Sequence, residues 1–148
     1  MRYLLPSVLA TSVVLLTSCA KPPSTPAQAS ASISPEARIQ QIPAADPQKY
    51  AALKDMKAWR NPYLIIRADG VALLDPDDHL ERILKPGELT QALGNLPSSA
   101  WPYGRVVAVT ENGVRGSADD DVKIRTNRAI VAGTLESMHV LINWVPSA

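Results

Sequence analysis

Residues Tyr63 to Asp75 read YLIIRADGVALLD, and this stretch decides the fold. Two runs rich in β-branched and aliphatic side chains flank Asp69-Gly70, a dipeptide that tolerates the positive φ angles of a tight hairpin turn. The reading predicts two antiparallel strands joined by a two-residue turn. Counting outward from that turn sets Ala68 opposite Val71, Ile66 opposite Leu73 and Leu64 opposite Asp75.

Downstream, Asp75-Pro76-Asp77-Asp78-His79 reads as a loop. Gly87 to Leu96 carries Leu89, Ala92, Leu93 and Leu96 at three- and four-residue spacing, which predicts a helix that Pro97-Ser98-Ser99 stops. Arg105 to Thr110 is a strand centred on Val106, Val107 and Val109, closed by Asn112-Gly113. Val122 to Met138 aligns Ile124, Arg128, Val131, Leu135 and Met138 on one helical stripe, with Asp119 to Asp121 beside the positive end of that helix. VKIRT, Val122 to Thr126, also alternates like a strand, so a mostly β C-terminal third is the alternative. His139 to Val145 is a final strand with Val140, Ile142 and Trp144 on one face.

Upstream, Ser34-Pro35-Glu36 and Asp46-Pro47 each set a capping side chain before a proline at a first helical position. They predict a helix of one or two turns and a longer one from Pro47 to about Arg60, ended by Asn61-Pro62, with Tyr50, Leu53, Met56 and Trp59 near one face. Tyr50 and Trp59 are read as core. Ala20 to Ile33, AKPPSTPAQASASI, has too few large apolar groups to offset the entropy of ordering itself and reads as a tether. Fourteen such residues span roughly 20 Å as a coil and about 40 Å as polyproline II.

Before the tether, Arg2 precedes an apolar stretch from Leu4 to Thr17 that stops short of the about 20 residues a spanning helix needs. Leu16-Thr17-Ser18-Cys19 then resembles the bacterial lipobox, whose cysteine is lipidated and becomes the mature N-terminus. The resemblance implies a thiol-linked diacylglyceryl group plus an N-acyl chain on Cys19, more than the single chain that binds membranes only reversibly. Ala20 after the cysteine, in place of the aspartate common in lipoproteins retained at the inner membrane, points to the periplasmic face of an outer membrane. Cys19 is the sole cysteine, so no intrachain disulfide is available.

The chain has 148 residues, a formal charge of +1, 46% hydrophobic and 20% charged residues, which fits one folded domain of ordinary composition and gives no basic excess for nucleic acid. The expected organisation is a signal over 1–18, lipidated cysteine and tether over 19–33, entry helices over 34–60 and a compact α+β domain over 61–148. That domain would hold a small mixed sheet, an N-terminal hairpin plus two further strands, packed on two to three helices.

Chemistry-bearing patterns are few. His79 stands beside Asp75, Asp77 and Asp78, so a carboxylate–histidine metal site can be drawn, but a calcium loop would need glycine and glutamate where Leu80 and Pro86 stand. No G-x-S-x-G, G-x-x-x-x-G-K-[ST] or G-x-G-x-x-G pattern occurs. Arg125 and Arg128 read as solvated cations near Asp121, and His139 as a half-exposed strand residue. Trp101-Pro102-Tyr103 offers the candidate partner-binding surface, through Trp101 and Tyr103, against the alternative of a stack that seals the end of the core. No cofactor is predicted.

The order hairpin, helix, strand, helix, strand resembles the periplasmic domain of the ExbD/TolR family of biopolymer-transport proteins. The matching residues are Ile65-Ile66-Arg67-Ala68-Asp69-Gly70-Val71-Ala72-Leu73, Leu89 to Leu96, Arg105 to Val109 and Val131 to Ile142. The resemblance implies a small α+β module that forms a homodimer or docks on a periplasmic protein or peptidoglycan. Members of that family carry a membrane helix with a proton-coupled aspartate, whereas Leu4 to Leu16 has no acidic residue. The expectation is therefore a lipid-anchored, non-enzymatic binding or adaptor module of the cell envelope. The alternatives are a structural subunit of an envelope transport or secretion assembly and a small metal-dependent periplasmic hydrolase using His79. Replacing Cys19 by alanine should abolish incorporation of labelled palmitate and move the chain out of the sedimented membrane fraction, read by fractionation and blotting.

Overall fold

The computed structural model describes residues 33–53, 55–76, 80–112 and 116–146. Cys19 and the signal and tether up to residue 32 lie outside them, as do Asp77, Asp78, His79 and Gly113. The described chain runs α1 (Pro35–Gln40), β1 (Tyr63–Ile66), β2 (Val71–Leu74), β3 (Glu81–Leu84), α2 (Leu89–Gly94), β4 (Val106–Glu111), α3 (Ala118–Ser137) and β5 (Leu141–Trp144). It is an α+β fold on a mixed five-stranded sheet in the order β3-β2-β1-β4-β5. β2 pairs antiparallel with β1 and with β3, whereas β4 runs parallel to both β1 and β5.

The opening hairpin forms with its register displaced by two residues from the count. Ile66 faces Val71 and Leu64 faces Leu73, so the connection is Arg67 to Gly70 rather than Asp69-Gly70 alone, closed by the Arg67 amide on the Gly70 carbonyl at 2.9 Å. A shift of two preserves the side-chain alternation, so Leu64, Ile66, Val71 and Leu73 still share the buried face. The glycine is fixed by its neighbours: Gly70 has φ +156°, and a Cβ there would meet the Leu84 carbonyl oxygen of β3 at 2.4 Å.

β3 was not anticipated. Glu81-Arg82-Ile83-Leu84 buries only Leu84, because a strand at the sheet edge has one flank and most of its side chains in solvent, which removes the apolar alternation. The sheet therefore carries three strands beyond the hairpin, not two. The Pro47–Arg60 helix is also absent, and two 3-10 turns stand in its place, Pro47–Lys49 capped by Asp46 and Met56–Ala58 capped by Asp55. Tyr50 and Trp59 have ring centroids 5.6 Å apart. Nine residues of α-helix would separate their backbones by about 13.5 Å, so the chain folds back between the capped turns to bring both rings onto the sheet.

Two layers cover the sheet. On one face Leu64, Ile66, Val71, Leu73, Val107 and Val109 meet Ile39 of α1, Leu89 and Leu93 of α2, and Val131 and Leu135 of α3. On the other, Trp59, Val106 and Ala108 are buried beneath Tyr50, Leu53, Met56, Tyr63 and Tyr103. β4, covered on both faces by this arrangement, is the near-continuous apolar run expected of an interior parallel strand. Asn61, 1% exposed, joins the layers' edges: its side-chain amide donates to Gly104 O at 2.7 Å and Val106 O at 2.8 Å and accepts from Tyr103 N at 2.9 Å.

α3 forms as the helical reading expected, and the β alternative for the last third is not adopted. Its start is set by a capping box in which Ser117 Oγ accepts from Asp120 N while the Asp120 carboxylate accepts the Ser117 amide. Those Ser117 hydrogen bonds, backbone first, hold the Asp120 carboxyl below its ordinary pKa. The helix ends at Met138, and exposed His139 takes φ +55° before β5 begins at Leu141. α2 is shorter than predicted, because Pro86–Glu88 forms a 3-10 turn ahead of Leu89.

Gly70→Ala should destabilise the fold by about 1–3 kcal/mol, the cost of a strained backbone conformation with no room to relax. The measurement is the urea midpoint, which should fall while the slope stays constant.

Candidate functional site

β5 closes one end of the sheet, with β4 as its only strand neighbour among the described residues. The Leu141 amide donates to Arg105 O and the Val145 amide to Val109 O, both toward β4. By the two-residue period of a strand, the backbone groups of Ile142 and Trp144 then point to the open edge. This edge is flanked by large apolar side chains, Leu141 on one face at 49% exposure and Trp144 on the other at 42%.

Trp144 is held in a defined setting. It pairs in register with Val109, on the helix-covered face, and α3 carries Arg128 across it with the guanidinium carbon 4.5 Å from the ring centroid. Arg128 also bonds Glu111 through Nη1 to Oε1 at 2.6 Å. The three residues, with Val145 and Pro146, surround a hollow of about 320 Å3. An exposed ion pair contributes at most about 1 kcal/mol and an exposed cation–π contact about 0.5–1 kcal/mol. Their combined effect is to hold the Arg128 guanidinium over the indole.

The aromatic pair proposed from the sequence does not form one surface. Trp101 is 3% exposed within the helix-side core, which is the sealing role. Tyr103 sits on the opposite face, 5.2 Å from the Trp59 ring and 5.9 Å from Tyr50, and its hydroxyl donates to Ala58 O. Separate faces of the sheet hold them. The exposed tryptophan is Trp144, and the sequence placed it correctly on one face with Val140 and Ile142 without marking the strand as an edge.

Among the described residues, no group of three or more His, Cys, Asp or Glu is arranged to hold a metal ion, and no helix is long and apolar enough to cross a membrane. The His79 cluster lies outside those residues except for Asp75 and Leu80. Arg125 turns back along its own helix to bond Asp121 O. Tyr63, half-buried on β1, has its phenol pKa raised by burial.

A double-mutant cycle on Arg128→Ala and Trp144→Ala should return a coupling of about 0.5–1 kcal/mol in unfolding free energy. Trp144 emission should change on Arg128→Ala when compared with the same substitution in a Trp144→Phe background.

No protein-family model matches the chain, and no curated protein or solved structure matches it either.

Proposed function

We propose that this chain is a lipid-anchored envelope protein whose α+β domain is a non-enzymatic binding module, with the β5 edge as its contact surface for a periplasmic protein. The observation that carries the reading is the β5 edge, where outward backbone groups at Ile142 and Trp144 stand between exposed Leu141 and Trp144. Open strand edges accept an extended segment of a partner by adding a strand, and tryptophan and arginine supply much of the energy of such interfaces. The sequence reading of a signal over 1–18, a lipidated Cys19 and a tether behind it supports the location, since a domain held to a membrane by lipid groups and a spacer serves to bring partners together near that surface.

The likeness to the ExbD/TolR periplasmic domain belongs to the same reading. The observed succession of hairpin, α2, β4, α3 and β5 supports it, and β3 between the hairpin and α2 is an addition to the expected order. Contact with peptidoglycan is the cell-wall version of this module, and a homodimer its self-associating one.

The test places a photoreactive benzoylphenylalanine at Leu141 of the full chain in its own envelope, with Val122 on α3 as the control position. A discrete adduct from position 141 and none from 122 is the expected result. Equal adducts from both, or none from 141, would remove the β5 edge from the proposal. Sedimentation with purified peptidoglycan reads the cell-wall partner separately.

A further inference from the structure

On the sheet face away from the helices, the turn Met56–Ala58 and Trp59 leave a cleft of about 480 Å3 against β1 and β2. Its walls are Met56, Trp59, Tyr63, Leu74 and Pro76. That volume lies within the range of about 300–1,000 Å3 typical of small-molecule sites.

Two of the polar groups on these walls are already engaged inside the protein. Asn61 spends its side chain on Gly104, Val106 and Tyr103, and the Trp59 indole N–H donates to Pro62 O at 3.2 Å. β1 and β2 are interior strands, so their backbone groups are taken up by the ladders on either side. An extended peptide would find no backbone partners on that floor, and a sugar would find few groups for its hydroxyls. What the cleft offers is apolar surface and charge.

Two charged residues line it. Asp75, at the end of β2, belongs to the sheet side, and Lys57 to the turn side. Lys57 is exposed, and its ammonium has no carboxylate partner among the described residues, whereas the backbone N–H of Lys57 is the group that Asp55 caps. Asp75 has a partner of its own within the chain, which leaves Lys57 as the charge open to an occupant, and an apolar chain ending in one anion suits it, its alkyl part covering the walls and its head drawn to Lys57.

We propose that this cleft binds a free long-chain fatty acid, with the alkyl chain against Trp59, Tyr63 and Leu74 and the carboxylate beside Lys57. The cleft shares no residue with the β5 edge, so it stands or falls independently of the adaptor reading.

The experiment uses the full-length protein in isolated envelope vesicles, to which a diazirine-bearing palmitic acid is added and photolysed. Adducts are mapped by peptide mass spectrometry, which separates them from lipid attached at Cys19. Labelling should concentrate in the segment 55–76, be competed by palmitic acid and be competed poorly by hexadecanol, which keeps the chain and lacks the charge. Lys57→Glu should cut labelling about five- to ten-fold, the order expected when a surface ion pair becomes a repulsion. Leu74→Trp, which fills the cleft, should abolish labelling while circular dichroism shows the fold retained. If that variant misfolds, exposed Lys57→Gln carries the test, with an intermediate loss expected. Adducts spread over other segments, no effect of Lys57 substitution, or equal competition by hexadecanol would overturn the proposal. So would displacement by an apolar peptide under conditions where palmitic acid fails to compete, since the occupant would then be a protein segment.

Discussion

Asn61 carries the constraint on which the two halves of this structure converge. It stands just before β1, is buried, and spends its whole amide on the stretch Tyr103 to Val106 that leads into β4. β1 and β4 are parallel neighbours more than 40 residues apart, and parallel strands need a fixed start to hold their register. Three hydrogen bonds from one side chain provide that start. The same loop passes close to the entry segment, where Gly104, at φ +79°, leaves no space for a Cβ against the Ala44 carbonyl, and Arg105 N reaches Pro43 O. Removing the Asn61 amide would take the side-chain donor from the buried Val106 carbonyl, at a cost of about 1–3 kcal/mol, while Gly104 O keeps the Val106 amide.

With that register fixed, the sheet divides the molecule into two unequal sides. The helices cover one face with an aliphatic core, and α1 comes so near α2 that a Cβ on Gly94 would fall 2.7 Å from Pro35. The other face is covered by a segment of irregular backbone, which works because each short turn is capped by an aspartate and because three aromatic rings cluster beneath it. A cover made of turns and rings does not tile a sheet as helices do. The cleft beside Trp59 is the consequence, and so is the exposure of Ile83 further along the same face.

The two candidate surfaces differ in chemistry in a way that separates their partners. β5 has outward backbone groups, an exposed indole and an arginine held over it, which suits a polypeptide. The cleft over β1 and β2 has an interior-strand floor, the engaged Asn61 and Trp59 groups, and the Lys57 ammonium without a carboxylate partner among the described residues, which suits an amphiphile.

What the sequence determined by itself is whatever is written in short-range pattern. The hairpin at Tyr63–Asp75, the caps at Ser34 and Asp46, the apolar strand of β4 and the stripe of α3 are all legible, because turn chemistry, capping and periodicity act within a few residues. The face assignments also survive the shifted hairpin, since a two-residue slip leaves alternation intact. The Ser117–Asp120 capping box was there to be read and would have fixed the start of α3 directly. The tertiary structure decided the rest. β3 is a strand because β2 has a free flank to pair with, the 47–60 segment folds back because Tyr50 and Trp59 must share one patch of sheet, and Trp101 is interior while Trp144 is exposed because of where the core and the sheet edge fall. Burial depends on which elements become neighbours, and pairing between residues far apart in the chain leaves no local signature.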